Sequence, residues 1–192
     1  MPVGLNSKAT IKHGVHLNTF IALFRGINVG GKHMLPMKDL VAILKECGCD
    51  EIKTYIQSGN VVFDWNGKQT QSLATKLQAK ISEKHGFAPE VLILTHSELA
   101  NAIENNPFDT ADGKALLFFF LISPPKSPDL AGLARLKSET EQFWLHDKVF
   151  YLYAPDGIGR SKLAAKADKY INASATARNW NTVSKLMTMV AG

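Results

Sequence analysis

Residues 25 to 37, RGINVGGKHMLPM, hold Gly26, four intervening residues, Gly31 and Lys32. That is the spacing of a phosphate-binding loop, in which glycine amides cradle a nucleotide's phosphates and the lysine reaches the terminal ones. Such a loop also needs a strand before it, a helix that begins at the lysine, and a Ser or Thr hydroxyl for magnesium. Only the strand is legible. His33 holds the hydroxyl position, and Pro36 delays the helix by about four residues. The segment is therefore read as a strand-to-helix connection. Gly26, Gly30 and Gly31 then predict a tight turn or a close approach to the backbone.

The elements around this loop decide what it can meet. TFIALFR (19–25) predicts a strand, and MKDLVAILKECG (37–48) a helix with Leu40, Val41, Ile43 and Leu44 inward, closing at Gly48. EIKTYIQ (51–57) and NVVFDW (60–65) predict a hairpin joined by a tight SG turn. A helix over 69–86, with Leu73, Leu77 and Ile81 at four-residue spacing, precedes the strand EVLILT (90–95). The order β-α-β-β-α-β is that of the split, ferredoxin-like arrangement, with strands aligned 4-1-3-2 and both helices on one face. Strand 3 then lies antiparallel beside strand 1, so RGIN neighbours QSGN (57–60), and the helix from Met37 brings its free amides to the same edge. Arg25, Asn28, Lys32, Gln57, Ser58 and Asn60 are the candidate ligands of one polar patch there. The competing reading is that Asn, Ser and Gly merely close two adjacent turns.

The second half predicts a helix over 96–106, the buried strand ALLFFFLI (115–122), a helix over 129–142, and two strands within FWLHDKVFYLY (143–153). Helices follow at 161–171 and 175–190. The chain divides into a leader (1–18, poorly ordered), a ferredoxin-like subdomain (19–95) and a second α+β subdomain (96–192) with basic C-terminal helices. Net charge is +5, and from Arg160 onward six basic residues face one acid, Asp168, so the rest of the chain is balanced. Positive charge gathered in one terminal segment points to an anionic partner, with a solvated face as the simpler alternative. Lys162, Lys166 and Lys169 fall on one helical stripe. In the last helix Trp180, Val183, Met187 and Val190 face the core, Ser174 or Thr176 caps it, and Arg178 and Asn179 are candidate contacts. Arg160, Lys162, Arg178 and Asn179 complete the candidate ligand set.

Hydrophobic residues make up 45% and charged residues 20% of 192, the range of a globular chain. The longest apolar run, ALLFFFLI, is less than half of the roughly 20 residues that cross a bilayer, and Pro124 and Pro125 stop it. Cys47 and Cys49 lie too close together for an unstrained disulfide, and no further Cys or His pair completes a zinc site, so a reducing cytoplasm is expected and no metal or cofactor is implied.

LFRGINVGG, LPM, TYIQSGNVVF, GRSKL (159–163) and ATARNWNTVSKL (175–186) together closely resemble an uncharacterised bacterial family, domain of unknown function 1697, from residue 19 to residue 189. The resemblance implies two α+β subdomains with ferredoxin-like features. It implies no reaction and no catalytic residue. The family's loop core is Gly-Ile-Asn-Val-Gly-Gly, which leaves Lys32 outside it.

The expected function is binding of an anionic partner, nucleic acid or a nucleotide-like or phosphorylated small molecule, through the Gly-rich loop edge and the basic C-terminal segment. One alternative is an enzyme acting on a phosphorylated or anionic substrate, with Arg25, Lys32, Arg160 or Arg178 neutralising charge; His33 and Ser58 adjoin the patch, but no Ser-His-Asp order, HExxH helix or carboxylate pair names a base. Another is a protein-interaction module without a small-molecule site. An RNA-reading platform of Phe24, Phe63 and Trp65 has the right strands but lacks the expected strand motif.

Overall fold

The five residues Phe20 to Phe24 are apolar and every one is buried, so this strand must have a neighbour on each side. The computed structural model, which describes residues 10–12 and 15–191, supplies both neighbours. The chain divides into two units, residues 1–96 and 97–192.

In the first unit, β1 (Thr10–Lys12) pairs with the opening residues of β2 (Val15–Phe24), Thr10 opposite Leu17 and Lys12 opposite Val15. β2 thus begins four residues before the predicted Thr19. Residues 1–9 and 13–14 of the predicted leader lie outside the described residues. There follow α1 (Met37–Glu46), β3 (Asp50–Tyr55), β4 (Asn60–Trp65), α2 (Thr70–His85) and β5 (Val91–Thr95). The sheet runs β5-β2-β4-β3, all antiparallel, which is the expected 4-1-3-2 arrangement. One sheet face, carrying Phe20, Ala22, Phe24, Val61 and Phe63, packs with Leu40, Ile43 and Leu44 of α1 and Leu73, Leu77 and Ile81 of α2. Burying a side chain of this size contributes about 1.5–3 kcal/mol.

The β3–β4 connection is the four residues Ile56–Gly59 rather than a two-residue SG turn. The reason lies at Gly59, which has φ +71° and whose carbonyl accepts from the amide of Phe24 at 2.8 Å. The loop is pressed against the end of β2 so closely that a Cβ on Gly59 would lie 2.6 Å from Cβ of Phe24 and 2.8 Å from Cδ1 of Ile27.

The second unit contains α3 (His96–Glu104), β6 (Leu116–Leu121), α4 (Leu130–Leu136), β7 (Gln142–His146), β8 (Val149–Tyr153), a 3-10 turn at Ile158–Arg160, α5 (Lys162–Ile171), β9 (Ala175–Asn179) and α6 (Trp180–Ala191). Its sheet runs β9-β6-β8-β7, again antiparallel and again 4-1-3-2 in chain order from β6. Of the expected helix over 175–190, residues 175–179 are instead the fourth strand, paired along β6 from Leu117–Asn179 to Leu121–Ala175. The predicted helix over 129–142 stops at Leu136, because Lys137 takes an extended conformation (ψ 142°).

Phe119, Leu121, Phe150 and Leu152 face Leu133 of α4 and Leu163, Ala167 and Ile171 of α5. On the opposite face Phe118 stacks on Trp180 with centroids 5.9 Å apart, and the Tyr151 hydroxyl donates to the carbonyl of Ala102 in α3 at 2.8 Å. α4 sits close against α5 because Gly132 has no side chain: a Cβ there would lie 2.3 Å from Cε1 of Tyr170.

Gly59→Ala combines a left-handed backbone with overpacking, and is expected to lower unfolding stability by about 2–5 kcal/mol. Urea denaturation measures it; a loss below about 1 kcal/mol would show that the β2–Gly59 contact does not organise the loop.

Candidate functional site

The Gly-rich segment folds back on itself. The amide of Lys32 donates to the carbonyl of Val29 at 3.1 Å and that of Asn28 to His33 at 3.1 Å, leaving Gly30 (φ +58°) and Gly31 (φ +72°) as the central pair of a hairpin turn. Positive φ at both central positions is the type I′ pattern, for which Gly-Gly is well suited. Lys32 is exposed in the returning arm of that turn, and α1 begins five residues later, at Met37. The phosphate-loop geometry is absent: the glycine amides do not lie at a helix N-terminus.

RGIN and QSGN do meet, as the strand order requires, and Asn28 is the joint between them. Its Oδ1 accepts from the Leu35 amide at 2.7 Å, while its Nδ2 donates to the carbonyls of Leu35 and Gln57, each at 2.9 Å. The side-chain amide pairs with Leu35 as an antiparallel strand would, and ties the flap to the β3–β4 loop. Asn28 also holds φ +54°, a left-handed conformation that Asn tolerates better than most residues.

The neighbouring candidates are similarly engaged. Arg25 pairs with Glu90 at 2.8 Å. Asn60 is fully buried, donating to the Ser58 hydroxyl at 2.8 Å and to the Tyr55 carbonyl at 3.3 Å. Nδ1 of His33 lies 3.2 Å from the Gly26 carbonyl oxygen and its ring stacks on Phe87 at 4.8 Å. Beside the exposed Lys32 and His33 the flap presents Val29 and Met34 outward, and the β3–β4 loop presents Ile56, each of these three more than half exposed. Phe24 and Phe63 are buried in the core, so they cannot serve as a base-stacking platform. The buried Cys49 thiol is pushed up to about 12, chiefly by desolvation, and burial likewise raises Cys47, so neither is poised as a thiolate nucleophile.

In the second unit Arg178 and Asn179 serve their own elements. The guanidinium donates to the Thr176 hydroxyl and the Ala177 carbonyl, both at 2.8 Å, and burial pushes its pKa down to about 10, leaving it charged at neutral pH. Oδ1 of Asn179 accepts from the amide of Thr182 at 3.0 Å, so Asn179, rather than Ser174 or Thr176, caps α6. Lys166 and Lys169 are exposed on α5.

Arg160 and Lys162 behave differently. They line a cavity of about 460 Å³ together with Arg135, Lys137, Glu141 and Asp156. Its wall is built where α4 ends and α5 begins. Ser161 caps α5, its hydroxyl accepting from the Ala164 amide at 2.9 Å; of the two first-turn residues left uncapped, Lys162 lines the recess and Leu163 is buried in the core. The remaining wall is braced by acids: Glu141, 4% exposed, accepts from the Ser138 amide at 2.8 Å through Oε2, and Asp156 accepts from the Thr140 hydroxyl at 2.5 Å through Oδ2. Arg135 reaches Asp129 only at 3.9 Å, and among the described residues no carboxylate pairs with Arg160 or Lys162. The arrangement is a small, net-positive recess with the first residue of a helix at its rim, suited to holding an anion.

Arg135 and Lys137 were not among the sequence candidates. The available signal was ARLK at the end of an apolar helix, 25 residues before Arg160. Among the described residues no group of three His, Cys, Asp or Glu side chains could hold a metal ion, and no helix is long and apolar enough to cross a membrane.

A family model described as a protein of unknown function (DUF1697) matches residues 17–151, ending before Arg160. Among solved structures the chain is similar to the conserved bacterial protein SP0830 from Streptococcus pneumoniae, with a TM-score of 0.68 and 23% identity over 91% of this chain and 99% of that one. At that identity the likeness is one of fold. No curated protein matches the chain.

The bracing role of Asn28 is tested by replacement. Asn28→Ala removes three hydrogen bonds and should cost about 2–4 kcal/mol in urea denaturation. Asn28→Asp should rescue little, because its carboxylate would face the Leu35 and Gln57 carbonyls; wild-type stability in either variant would contradict the bracing role.

Proposed function

We propose that this chain, which belongs to the DUF1697 family of proteins of unknown function, binds an anionic partner in the cavity at the start of α5. The observation that carries the reading is the convergence of Arg135, Lys137, Arg160 and Lys162 on one recess at the N-terminal end of a ten-residue helix. Four cations whose charge is only partly offset raise the local positive potential, and the amide of Lys162, the first residue of α5, adds a directed donor.

The size of the recess favours a small molecule over nucleic acid. About 460 Å³ lies within the usual 300–1,000 Å³ of small-ligand pockets. A polynucleotide would need a long basic groove following its backbone. The Gly-rich loop is assigned a bracing part, since Arg25, Asn28 and Asn60 bond within their own unit. The 4-1-3-2 order supports a ferredoxin-like reading of the first unit, and two free, buried thiols support a reducing, cytoplasmic setting.

Calorimetric titration with inorganic phosphate at low ionic strength tests the site. Loss of a charge-assisted contact is worth about 1.5–3 kcal/mol, so Arg160→Ala should weaken binding at least about tenfold. Lys32→Ala, in the exposed flap, should leave it unchanged. Binding lost with Lys32 and retained without Arg160, or no binding to the wild-type chain, would refute the proposal.

A further inference from the structure

The cavity is not uniformly basic, and its two carboxylates carry information that the cations do not. Glu141 and Asp156 each use one oxygen to brace the 138–141 segment, Glu141 on the Ser138 amide and Asp156 on the Thr140 hydroxyl. The second oxygen of each has no hydrogen bond among the described residues, and none of the described buried side-chain polar atoms is unsatisfied. Both acids line the recess, so these second oxygens are acceptors open to a guest. A carboxylate in ionised form only accepts, so what it welcomes is a hydroxyl or an ammonium.

Charge chooses between those two. Four cations less two carboxylates leave a net charge of +2 around the cavity. A phosphate monoester carries about −1.5 to −2 at neutral pH and matches that excess. An added ammonium would face four like charges, whereas hydroxyls satisfy the carboxylates without a charge penalty. Volume agrees, since the recess falls within the range that encloses a single small ligand. A polyanion threaded past Glu141 and Asp156 would instead meet repulsion.

We infer that the cavity takes a phosphorylated polyol of the sugar-phosphate class, its phosphate at Arg160, Lys162 and the first amide of α5, its hydroxyls on Glu141 and Asp156. This rests on the anion-binding reading above and adds the second half of the ligand. It also assigns the acids a role in selection: they discriminate against bare phosphate and sulfate, which offer few or no donors in return for the repulsion they meet.

Calorimetry on the full chain, with glucose 6-phosphate, ribose 5-phosphate, inorganic phosphate and a single-stranded dodecanucleotide at one ionic strength, tests the inference. At least one sugar phosphate should bind about tenfold more tightly than inorganic phosphate, and Arg160→Ala should weaken both. Asp156→Asn should act in opposite directions, weakening the sugar phosphate about tenfold while tightening inorganic phosphate severalfold, a pattern that a general loss of structure cannot produce. Asp156 is exposed, which makes it the better variant; Glu141→Gln should show the same inversion where its melting temperature stays near wild type. Arg160-dependent phosphate binding with no sugar-phosphate advantage would overturn this inference and leave the anion site standing. Absence of Arg160-dependent binding to every probe would overturn both, and an oligonucleotide bound more tightly than either sugar phosphate would replace the small ligand with nucleic acid.

Discussion

Burial of two apolar strands sets the conditions for everything else in this protein. Phe20–Phe24 of β2 and Leu116–Leu121 of β6 are almost wholly withdrawn from water. A strand buried in this way must be hydrogen-bonded on both edges, since an unpaired peptide group away from water costs about as much as a lost hydrogen bond. Each therefore occupies the second position of its sheet, β2 between β4 and β5 in the first unit and β6 between β8 and β9 in the second. Helices follow by the same logic: α1 with α2, and α4 with α5, each cover one apolar face. The loops at the strand and helix ends inherit their positions from these pairings.

The two units use that shared plan for different ends. In the first, the polar residues at the end of β2 are consumed by construction: Asn28 holds Leu35 and Gln57, Asn60 holds Ser58, and Arg25 meets Glu90. In the second, Gly132 lets α4 approach α5, and the end of one helix and the start of the other enclose a recess whose cations outnumber its acids. A buried network that is satisfied rigidifies, whereas charges left facing a cavity remain available to a ligand. That difference is why we propose the anion site in the second unit although the more suggestive motif lies in the first.

Strong periodicity made most of the fold readable from sequence. β2, the hairpin strands, α1 and α2 follow from their apolar spacing, and the strand order correctly placed RGIN beside QSGN. The fourth strand of the second unit was hidden because ATARN alternates polar residues only with two small alanines, a weak strand signal, and runs into a helical stripe; pairing with β6 makes it a strand. Side-chain roles were less legible. Asn28 and Asn179 have the chemistry of ligand contacts, and whether such a group faces a guest or its own backbone depends on tertiary placement. Arg160 and Lys162 were found through local charge. Arg135 and Lys137, which complete the recess, lie on another element, brought near by α4–α5 packing.

The proposed anion is held at the start of α5 rather than at the Gly-rich flap. An NMR titration of the 15N-labelled chain with inorganic phosphate tests this residue by residue. Anion binding there should produce saturable shifts in the amides of Gly157 and Lys162, with Gly30 and Gly31 unmoved. Shifts confined to Gly30, Gly31 and Lys32, or none at the start of α5 at saturating phosphate, would contradict it.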